Sequence, residues 1–186
     1  MEKTLVLIKP DGIKRGIVGK IINKFEVAGL KIIAIKMVVP DEELLKRHYK
    51  LEKEWYENLW KKSQESAAAK GQILKETPIE LGTKIQLNLI NSVKGNPIIA
   101  MIIEGNEAIA NVRKLVGATS PSRADPSTIR GMYSTDSYDL ADSKNRSVKN
   151  IIHASDSIKT AEYEINLWFK SNEIIEYKRA DEDIIY

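Results

Sequence analysis

The chain has 186 residues, and 42% of them are hydrophobic, which fits one globular domain with a sizeable core. Its net charge of +3 is too small an excess to indicate nucleic-acid binding, but it suits an anionic small molecule. The absence of cysteine excludes disulfides, thiolate zinc sites and a cysteine nucleophile.

No apolar run in the sequence approaches the length of a membrane-spanning helix. The first residues enter a strand-like run at once and leave no room for a signal peptide. We therefore expect a cytoplasmic protein without a membrane partner.

The first part of the chain alternates strand and helix patterns. An apolar run over residues 4–9 predicts a buried strand, which the following Pro-Asp-Gly sequence ends. Apolar residues then recur at helical spacing until a glycine stop at Gly29. Residues 30–39 predict a second strand, and Asp41 can cap a short helix running to about Tyr49.

The middle of the chain is less regular. Residues 62–83 are polar and mixed, and they carry no motif. A helical stripe over residues 85–93 ends near Gly95, and residues 97–104 predict an isoleucine-rich third strand. Asn106 can cap the helix that follows, with a glycine past its end.

The last part of the chain starts with polar connections. Residues 118–130 predict a loop, because prolines interrupt them, and residues 133–149 predict a second polar connection. A fourth strand is expected over residues 148–153 and a last helix over residues 158–169.

These elements predict an α/β fold of the ferredoxin-like type. Two strand–helix–strand units in the order βαββαβ imply a sandwich with a four-stranded antiparallel sheet and helices packed on one face. A doubly wound sheet would need more parallel strands.

His153 is one of only two histidines, and it lies where an apolar strand gives way to small polar residues. Those residues are typical of a helix start, so His153 is expected beside a helix N-terminus, which favours anions. The other histidine, His48, is better read as a surface or packing residue.

Three cationic residues flank predicted apolar elements. Lys9 ends the first strand, Arg113 borders the apolar face of its helix, and Arg130 leaves a loop before a glycine. Each alone is more often a solvated surface residue. If the three converge, they form a phosphate clamp, since guanidinium groups match phosphate geometry.

Glu164 lies at the edge of the apolar stripe of the last helix. It is either a rim residue that reaches water or a partner of His153. A carboxylate that accepts a hydrogen bond from His153 would fix the tautomer and leave the other ring nitrogen free as a nucleophile. The sequence contains no Walker-type loop, kinase catalytic-loop signature or metal-ligand spacing.

Taken together, several segments give the chain a resemblance to the nucleoside diphosphate kinase family over nearly its whole length. They fall in the order of that family and include its active-site histidine signature. The matching segments are residues 8–12 with 15–16, 48–49, 112–119, 128–131, 150–157 and 161–165.

The resemblance implies γ-phosphoryl transfer from a nucleoside triphosphate to a nucleoside diphosphate by a ping-pong route. His153 would be the nucleophile, attacking through Nδ1, and Glu164 would hold its other nitrogen. The residues expected to support the transferring phosphoryl group are Lys9, Tyr49 and Ser155. Those expected to bind nucleotide phosphates and ribose are Lys9, Arg113, Thr119, Arg130 and Asn150.

The family also implies a cofactor and an oligomer. Mg²⁺ would bridge the nucleotide phosphates without direct protein ligands, and the homo-oligomer would be a hexamer. The resemblance further implies one domain over residues 1–186, with insertions at about 62–83 and 134–147.

The sequence departs from the family pattern at several places. Ala154 replaces a common glycine, and Met132 replaces a common aspartate. The insertion before the third strand leaves the base-stacking residue open between Ile85, favoured by counting back from Pro97, and Trp55 or Tyr56.

Two other functions compete with an active kinase. One is a nucleotide-binding or interaction protein of the same fold without catalysis, against which the complete set of predicted site residues argues. The other is a nucleic-acid-binding sandwich domain, which the modest charge and the lack of an aromatic RNA-binding signature disfavour.

Overall fold

The computed structural model describes residues 1–69 and 71–185. Its strands and longer helices are, in chain order, β1 (Glu2–Ile8), α1 (Pro10–Lys14), α2 (Val18–Val27), β2 (Lys31–Val38), α3 (Glu42–His48), α4 (Lys53–Ala69), α5 (Pro78–Val93), β3 (Ile98–Gly105), α6 (Ala108–Val116), α7 (Ile129–Tyr133), α8 (Tyr138–Ser143), β4 (Ile152–Ala154), α9 (Ile158–Trp168) and α10 (Glu182–Ile185).

Within the described residues, the four strands form one antiparallel sheet in the order β2-β3-β1-β4. The central strand β1 pairs with β3 along its length and with the short β4 at its C-terminal end, where Leu7 lies opposite His153. The predicted ferredoxin-like α/β sandwich with a four-stranded antiparallel sheet is confirmed.

Helices cover both faces of this sheet, so the expectation of helices on one face was wrong. Val6 and Ile8 of β1 belong to a core cluster that includes residues of α2 and α6, the two helices of the βαββαβ pattern. Leu5 and Leu7 point the other way, into a cluster with residues of α3, α5 and α9. A strand buried on both faces is uninterruptedly apolar, as β1 is.

The segment before β3 forms two helices instead of a polar connection and one short helix. The 17-residue helix α4 escaped prediction because none of its described residues is buried, so it lacks a clear apolar stripe. Helix α5 starts at Pro78 rather than near residue 85. Its start is a capping box in which Thr77 and Glu80 bond each other's backbone N–H groups.

Helix α4 packs against α5 at Gly82. A Cβ atom at Gly82 would lie 2.6 Å from the Cβ of Tyr56, so only glycine permits this approach. The segment 62–83 thus comprises the end of α4, a connection and the start of α5. Lys70, within that segment, lies outside the described residues.

The connection between residues 133 and 149 contains the short helix α8 and a partly buried ion pair. Arg146 donates to both carboxylate oxygens of Asp136, at 2.6 and 3.0 Å, and the backbone N–H of Lys149 donates to the same carboxylate. These contacts fasten the connection just before the residues that lead into β4.

Strand β4 is shorter and later than the predicted residues 148–153, because the backbone turns at Ile151 before pairing begins. The last helix, α9, matches its predicted position, and the hydroxyl of Ser157 caps it by accepting from the N–H of Thr160. Among the helices of the described residues, none is both long and apolar enough to span a membrane.

Candidate active site

The side chain of His153 emerges from β4 next to the C-terminal end of β1 and is 25% exposed. Its Nε2 atom lies 2.9 Å from each carboxylate oxygen of Glu164, which α9 holds almost completely buried. The contact that the sequence suggested between these residues is therefore present. The catalytic roles attached to it remain predictions.

The charge of Glu164 sets the tautomer of His153. Burial acts to raise the pKa of the Glu164 carboxyl, but His153, His48 and the hydroxyl of Ser155 together lower it below its usual value. An ionised carboxylate only accepts hydrogen bonds, so Nε2 of His153 carries the hydrogen. Nδ1 has no hydrogen-bond partner among residues 1–69 and 71–185, and its lone pair is available to a substrate.

Ser155 contacts Glu164 rather than the solvent side of His153. Its hydroxyl is fully buried and donates to Oε2 of Glu164 at 2.6 Å, while the N–H of Leu5 donates to the same hydroxyl. Because its hydrogen is used there, Ser155 is placed to hold Glu164. The expectation that it supports the transferring phosphoryl group directly does not fit this geometry.

Lys9 lies on the same side of the sheet as His153. Leu7 is opposite His153, and the N–H of Lys9 donates to the carbonyl of Ile151, so Lys9 and His153 are diagonal neighbours. The pKa of Lys9 is lowered to about 8, mainly by desolvation; the charge of Asp11 opposes this shift and that of Arg130 adds to it. The ammonium group of Lys9 thus lies near the positive charge of Arg130. An anion bound between them would be stabilised by both charges.

A chain of hydrogen bonds connects three predicted nucleotide-binding residues. Lys9 Nζ donates to Oδ1 of Asn150 at 2.8 Å, and Nδ2 of Asn150 donates to the carbonyl of Thr119 at 3.0 Å. Asn150 is buried, whereas the side chain of Thr119 is exposed at the rim. The amide of Asn150 therefore ties the lysine to the loop that begins at residue 117.

Arg130 is buried and braces the backbone around the site. Its guanidinium donates to the carbonyls of Gly117, Asn150 and Ile152 at 2.9, 3.3 and 2.8 Å. These bonds use three of the five N–H groups of an arginine and leave the others for a ligand. Burial lowers the pKa of Arg130 to about 10, and the nearby Arg113 contributes.

The two guanidinium groups thus lie close enough to repel each other. Arg113 is exposed on α6, and its charge disfavours the charge of Arg130. A bound anion would relieve this repulsion. The convergence of Lys9, Arg113 and Arg130, which spacing alone left open, is supported pairwise, because Arg130 lowers the pKa of Lys9 and Arg113 lowers that of Arg130.

The backbone at Ile151 is strained where it presents Asn150. Ile151 has a φ of 70°, which is rare for a β-branched residue, and the N–H of Ile152 donates to the carbonyl of Asn150 across it at 2.7 Å. These features are those of the strained form of a γ-turn. A hydrogen bond from its own N–H to Asp11 and complete burial hold Ile151 in place.

Tyr49 ends helix α3 beside the site. Desolvation, followed by the charges of Glu164 and Asp11, raises the pKa of the Tyr49 phenol, so the hydroxyl stays protonated and can donate. Its carbonyl accepts from Gln86 of α5 at 2.6 Å. That bond joins α5 to this end of α3, and the half-buried Ile85 immediately precedes Gln86 on α5.

The candidates for the base-stacking position lie on two helices, Trp55 and Tyr56 on α4 and Ile85 on α5. Tyr56 is engaged in packing against Gly82, whereas Trp55 is 37% exposed on α4. Ile85 belongs to α5, which contacts α3 directly, and its choice as the base-stacking residue stays a prediction from the sequence.

Of the two departures from the family pattern, Ala154 is buried opposite Val6. Met132 is an exposed residue of α7.

His48 is part of the site, which the sequence did not reveal. The residue is buried, as the packing interpretation requires, but its ring also stands edge-on to that of His153, with centroids 4.6 Å apart. Trp168 Nε1 donates to Nδ1 of His48 at 3.2 Å. The only sequence signal was its position before Tyr49 in a matching segment.

His48, His153 and Glu164 are close enough to suggest a metal site, and no other such group occurs in the described part of the chain. The lone pair on Nδ1 of His48 already accepts from Trp168. Mg²⁺ also prefers oxygen ligands over imidazole. The cluster therefore does not fit direct Mg²⁺ binding by the protein.

The ring of His153, with the cationic Lys9 as a neighbour, is suited to accept a phosphoryl group. With the ferredoxin-like sheet, this arrangement points to a phosphotransferase. Comparison with known proteins agrees, because the family model described as nucleoside diphosphate kinase matches residues 2–85 and 80–174. The chain belongs to the nucleoside diphosphate kinase family.

Individual relatives match this chain over nearly its whole length. The nucleoside diphosphate kinase of Pyrobaculum aerophilum is 46% identical over 95% of this chain and 99% of its own length. That of Borreliella burgdorferi is 38% identical over 98% of this chain and 95% of its own.

Solved structures show the same fold. The NDP kinase of Pyrobaculum aerophilum superposes with a TM-score of 0.89 at 44% identity, covering 94% of this chain and 99% of that chain. The structure of the Borrelia burgdorferi enzyme, in a transition-state-mimicking complex with bound vanadate and ADP, gives a TM-score of 0.82 at 38% identity. It covers 97% of this chain and 94% of that chain.

Proposed function

We propose that this nucleoside diphosphate kinase moves the γ-phosphoryl group of a nucleoside triphosphate, typically ATP, to a nucleoside diphosphate through a phosphohistidine at His153. The observation that carries the proposal is the pairing of Nε2 with Glu164 at 2.9 Å, which makes Nδ1 the nitrogen with the lone pair in the neutral ring. The vanadate and ADP held by the Borrelia burgdorferi relative support the same chemistry for this chain.

In the first half-reaction, the lone pair on Nδ1 attacks the γ-phosphorus and forms the N–P bond. The bond to the β–γ bridging oxygen breaks, and the nucleoside diphosphate leaves with the electron pair. The ring gains positive charge as the bond forms, and the carboxylate of Glu164 stabilises that charge through Nε2–H. The second half-reaction reverses these steps with another diphosphate as acceptor.

Three cationic side chains stabilise the transferring group. The transition state is loose and spreads negative charge over the phosphoryl oxygens, so positioned positive charge does most of the work. Lys9, Arg113 and Arg130 supply it, and Arg130 can use the N–H groups that its backbone contacts leave free. Thr119 and Asn150 complete the set as ligands for phosphate and ribose oxygens.

The remaining predicted residues act around this centre. Tyr49 keeps its phenolic hydrogen and can donate to the phosphoryl group, while Ser155 fixes the orientation of Glu164. Ile85 would contact the base with an aliphatic surface, which tolerates different bases. The relative from Halobacterium salinarum, 32% identical with a TM-score of 0.74, holds CDP.

A divalent cation fits this site as a companion of the nucleotide. The described residues near His153 offer mainly nitrogen donors and cations, so Mg²⁺ would be held through phosphate oxygens and water. Bound there, it would neutralise phosphate charge. We further propose one domain with the two insertions, a cytoplasmic location and a homo-oligomer, by family a hexamer.

The test is exchange of phosphate between ATP and GDP by the wild-type chain and by His153→Ala. The wild type should form GTP, and the variant should form none beyond the uncatalysed background, with an unchanged thermal unfolding transition. Exchange by a folded His153→Ala variant would contradict the mechanism. Nucleotide binding without exchange by the wild type would favour the non-catalytic alternative.

A further inference from the structure

The tautomer of His48 is fixed by Trp168. The indole N–H can only donate a hydrogen bond, and it lies 3.2 Å from Nδ1 of His48. Nδ1 must therefore be the unprotonated nitrogen. Burial, followed by the charge of His153, lowers the pKa of His48 to about 3, so the ring is neutral and Nε2 carries its single hydrogen.

This tautomer determines what His48 offers to Glu164. Nδ1 of His48 lies 3.6 Å from Oε1 of Glu164, which is near contact but beyond a hydrogen bond. Because its lone pair accepts from Trp168, Nδ1 has no hydrogen to give to the carboxylate. The side chains that donate to Glu164 in the described structure are those of His153 and Ser155.

The fixed tautomer carries a cost that the contact with Trp168 must offset. Nε2 of His48 is buried and has no hydrogen-bond partner in the part of the chain that the structure describes. A buried N–H without an acceptor is unfavourable. The other tautomer would remove that unpaired donor and would place a hydrogen on Nδ1, facing Oε1 of Glu164.

We propose that Trp168 is a positioning residue for phosphotransfer, because its N–H holds His48 in the tautomer that cannot donate to Glu164. The negative charge of the carboxylate is thereby reserved for Nε2–H of His153. This inference rests on the proposed roles of His153 and Glu164.

Loss of the indole N–H has a specific chemical consequence. His48 switches to the Nδ1–H form and donates to Oε1 of Glu164 after a small closure of the 3.6 Å separation. A charge-assisted hydrogen bond from His48 then competes with the one from His153. The imidazolium that forms on His153 during attack is less well stabilised, and phosphorylation by ATP slows.

The experiment uses Trp168→Phe and two measurements. The ¹⁵N shifts of the His48 ring, recorded without nucleotide, should show Nε2–H in the wild type and Nδ1–H in the variant. Single-turnover phosphorylation by ATP should slow roughly tenfold, the scale of one charge-assisted hydrogen bond, with little change in the ATP concentration at half-maximal rate.

A double-mutant cycle separates this role from packing. With His48→Phe as background, the added Trp168→Phe change should leave the phosphorylation rate nearly unaltered, since no imidazole remains to switch. Equal losses in both backgrounds would assign Trp168 a packing role and overturn the proposal. An Nδ1–H tautomer in the wild type would overturn it as well, even if Trp168→Phe did not fold.

Failure of the proposed function would look different. In that case the wild-type chain would not be phosphorylated on His153 at all. The tautomer of His48 does not depend on activity and would still be measurable.

Discussion

Arg113 and Lys114 follow one another on α6 and are both exposed, but only Arg113 influences the charge of Arg130. Arg113→Ala should therefore lower kcat/KM roughly 10- to 100-fold, the loss of one or two charge-assisted hydrogen bonds to phosphate. Lys114→Ala is the matched control and should change kcat/KM less than about twofold. Equal effects of the two changes in steady-state kinetics would remove Arg113 from the phosphate site.

Lys9 should make the rate of phosphorylation depend on pH in the alkaline range. Its pKa is lowered to about 8 by desolvation first and Arg130 second, so the amine is mostly charged below that pH and neutral above it. The rate constant for phosphorylation at low ATP concentration, which reports the free enzyme, should fall as pH rises through about 8.

The variant Lys9→Arg tests whether Lys9 causes this fall in rate at alkaline pH. A guanidinium stays charged throughout this range, so whatever activity the variant keeps should no longer fall near pH 8. An identical alkaline limb in both proteins would show that another group titrates there.

At the scale of elements, the pair α4 and α5 depends on a close approach at Gly82. Gly82→Ala brings a methyl group within 2.6 Å of the Cβ of Tyr56, so the helices must separate. We expect a destabilisation of about 1–3 kcal/mol in denaturant unfolding and faster amide exchange in α4.

Gly19→Ala is the corresponding control on α2. No atom lies within 4 Å of a Cβ at Gly19, so the better helix propensity of alanine should stabilise the protein by about 0.5–1 kcal/mol. If Gly82→Ala were as well tolerated as Gly19→Ala, α4 would not pack on α5 as described.

At the scale of the whole molecule, the buried His48 makes the free energy of unfolding depend on pH in the acidic range. Its folded-state pKa of about 3 lies below the ordinary value of 6.5, so between these values the unfolded chain binds a proton that the folded chain does not. The free energy of unfolding should fall as pH drops from 6.5 towards 3, by an amount on the order of 4 kcal/mol from this residue.

His48→Phe should remove that part of the decline. Denaturant unfolding at pH 7 and pH 4 measures it, and the difference between the two pH values should be smaller in the variant than in the wild type. An equal difference in both proteins would mean that His48 does not stay neutral when the chain is folded.

The sequence predicted those parts of the molecule whose burial leaves a clear apolar pattern. The apolar run of β1 and the stripe of α9 predicted these two elements, because β1 is buried on both faces and α9 buries one regular face. Helix α4 has no buried face among its described residues and gave no such pattern. The start of α5 does carry a local sequence signal, the capping pair of Thr77 and Glu80.

The candidate site divides in a similar way. Residues in matching segments, such as Lys9 and Asn150, were found, and the structure joins them by a hydrogen bond. The environment of His48 depends on Trp168, which is 120 positions away, and no local pattern reports such a contact. The burial of Ser155 against Glu164 likewise follows from strand pairing at Leu5.

The proposed mechanism requires that His153 accepts the phosphoryl group. Incubation of the chain with ATP, followed by mass spectrometry of peptides kept at alkaline pH, tests it most directly. We expect one acid-labile, base-stable phosphoryl group on the peptide containing His153 and none on the peptide containing His48. Added GDP should remove that group. An adduct elsewhere, or one that GDP does not discharge, would contradict phosphotransfer through His153.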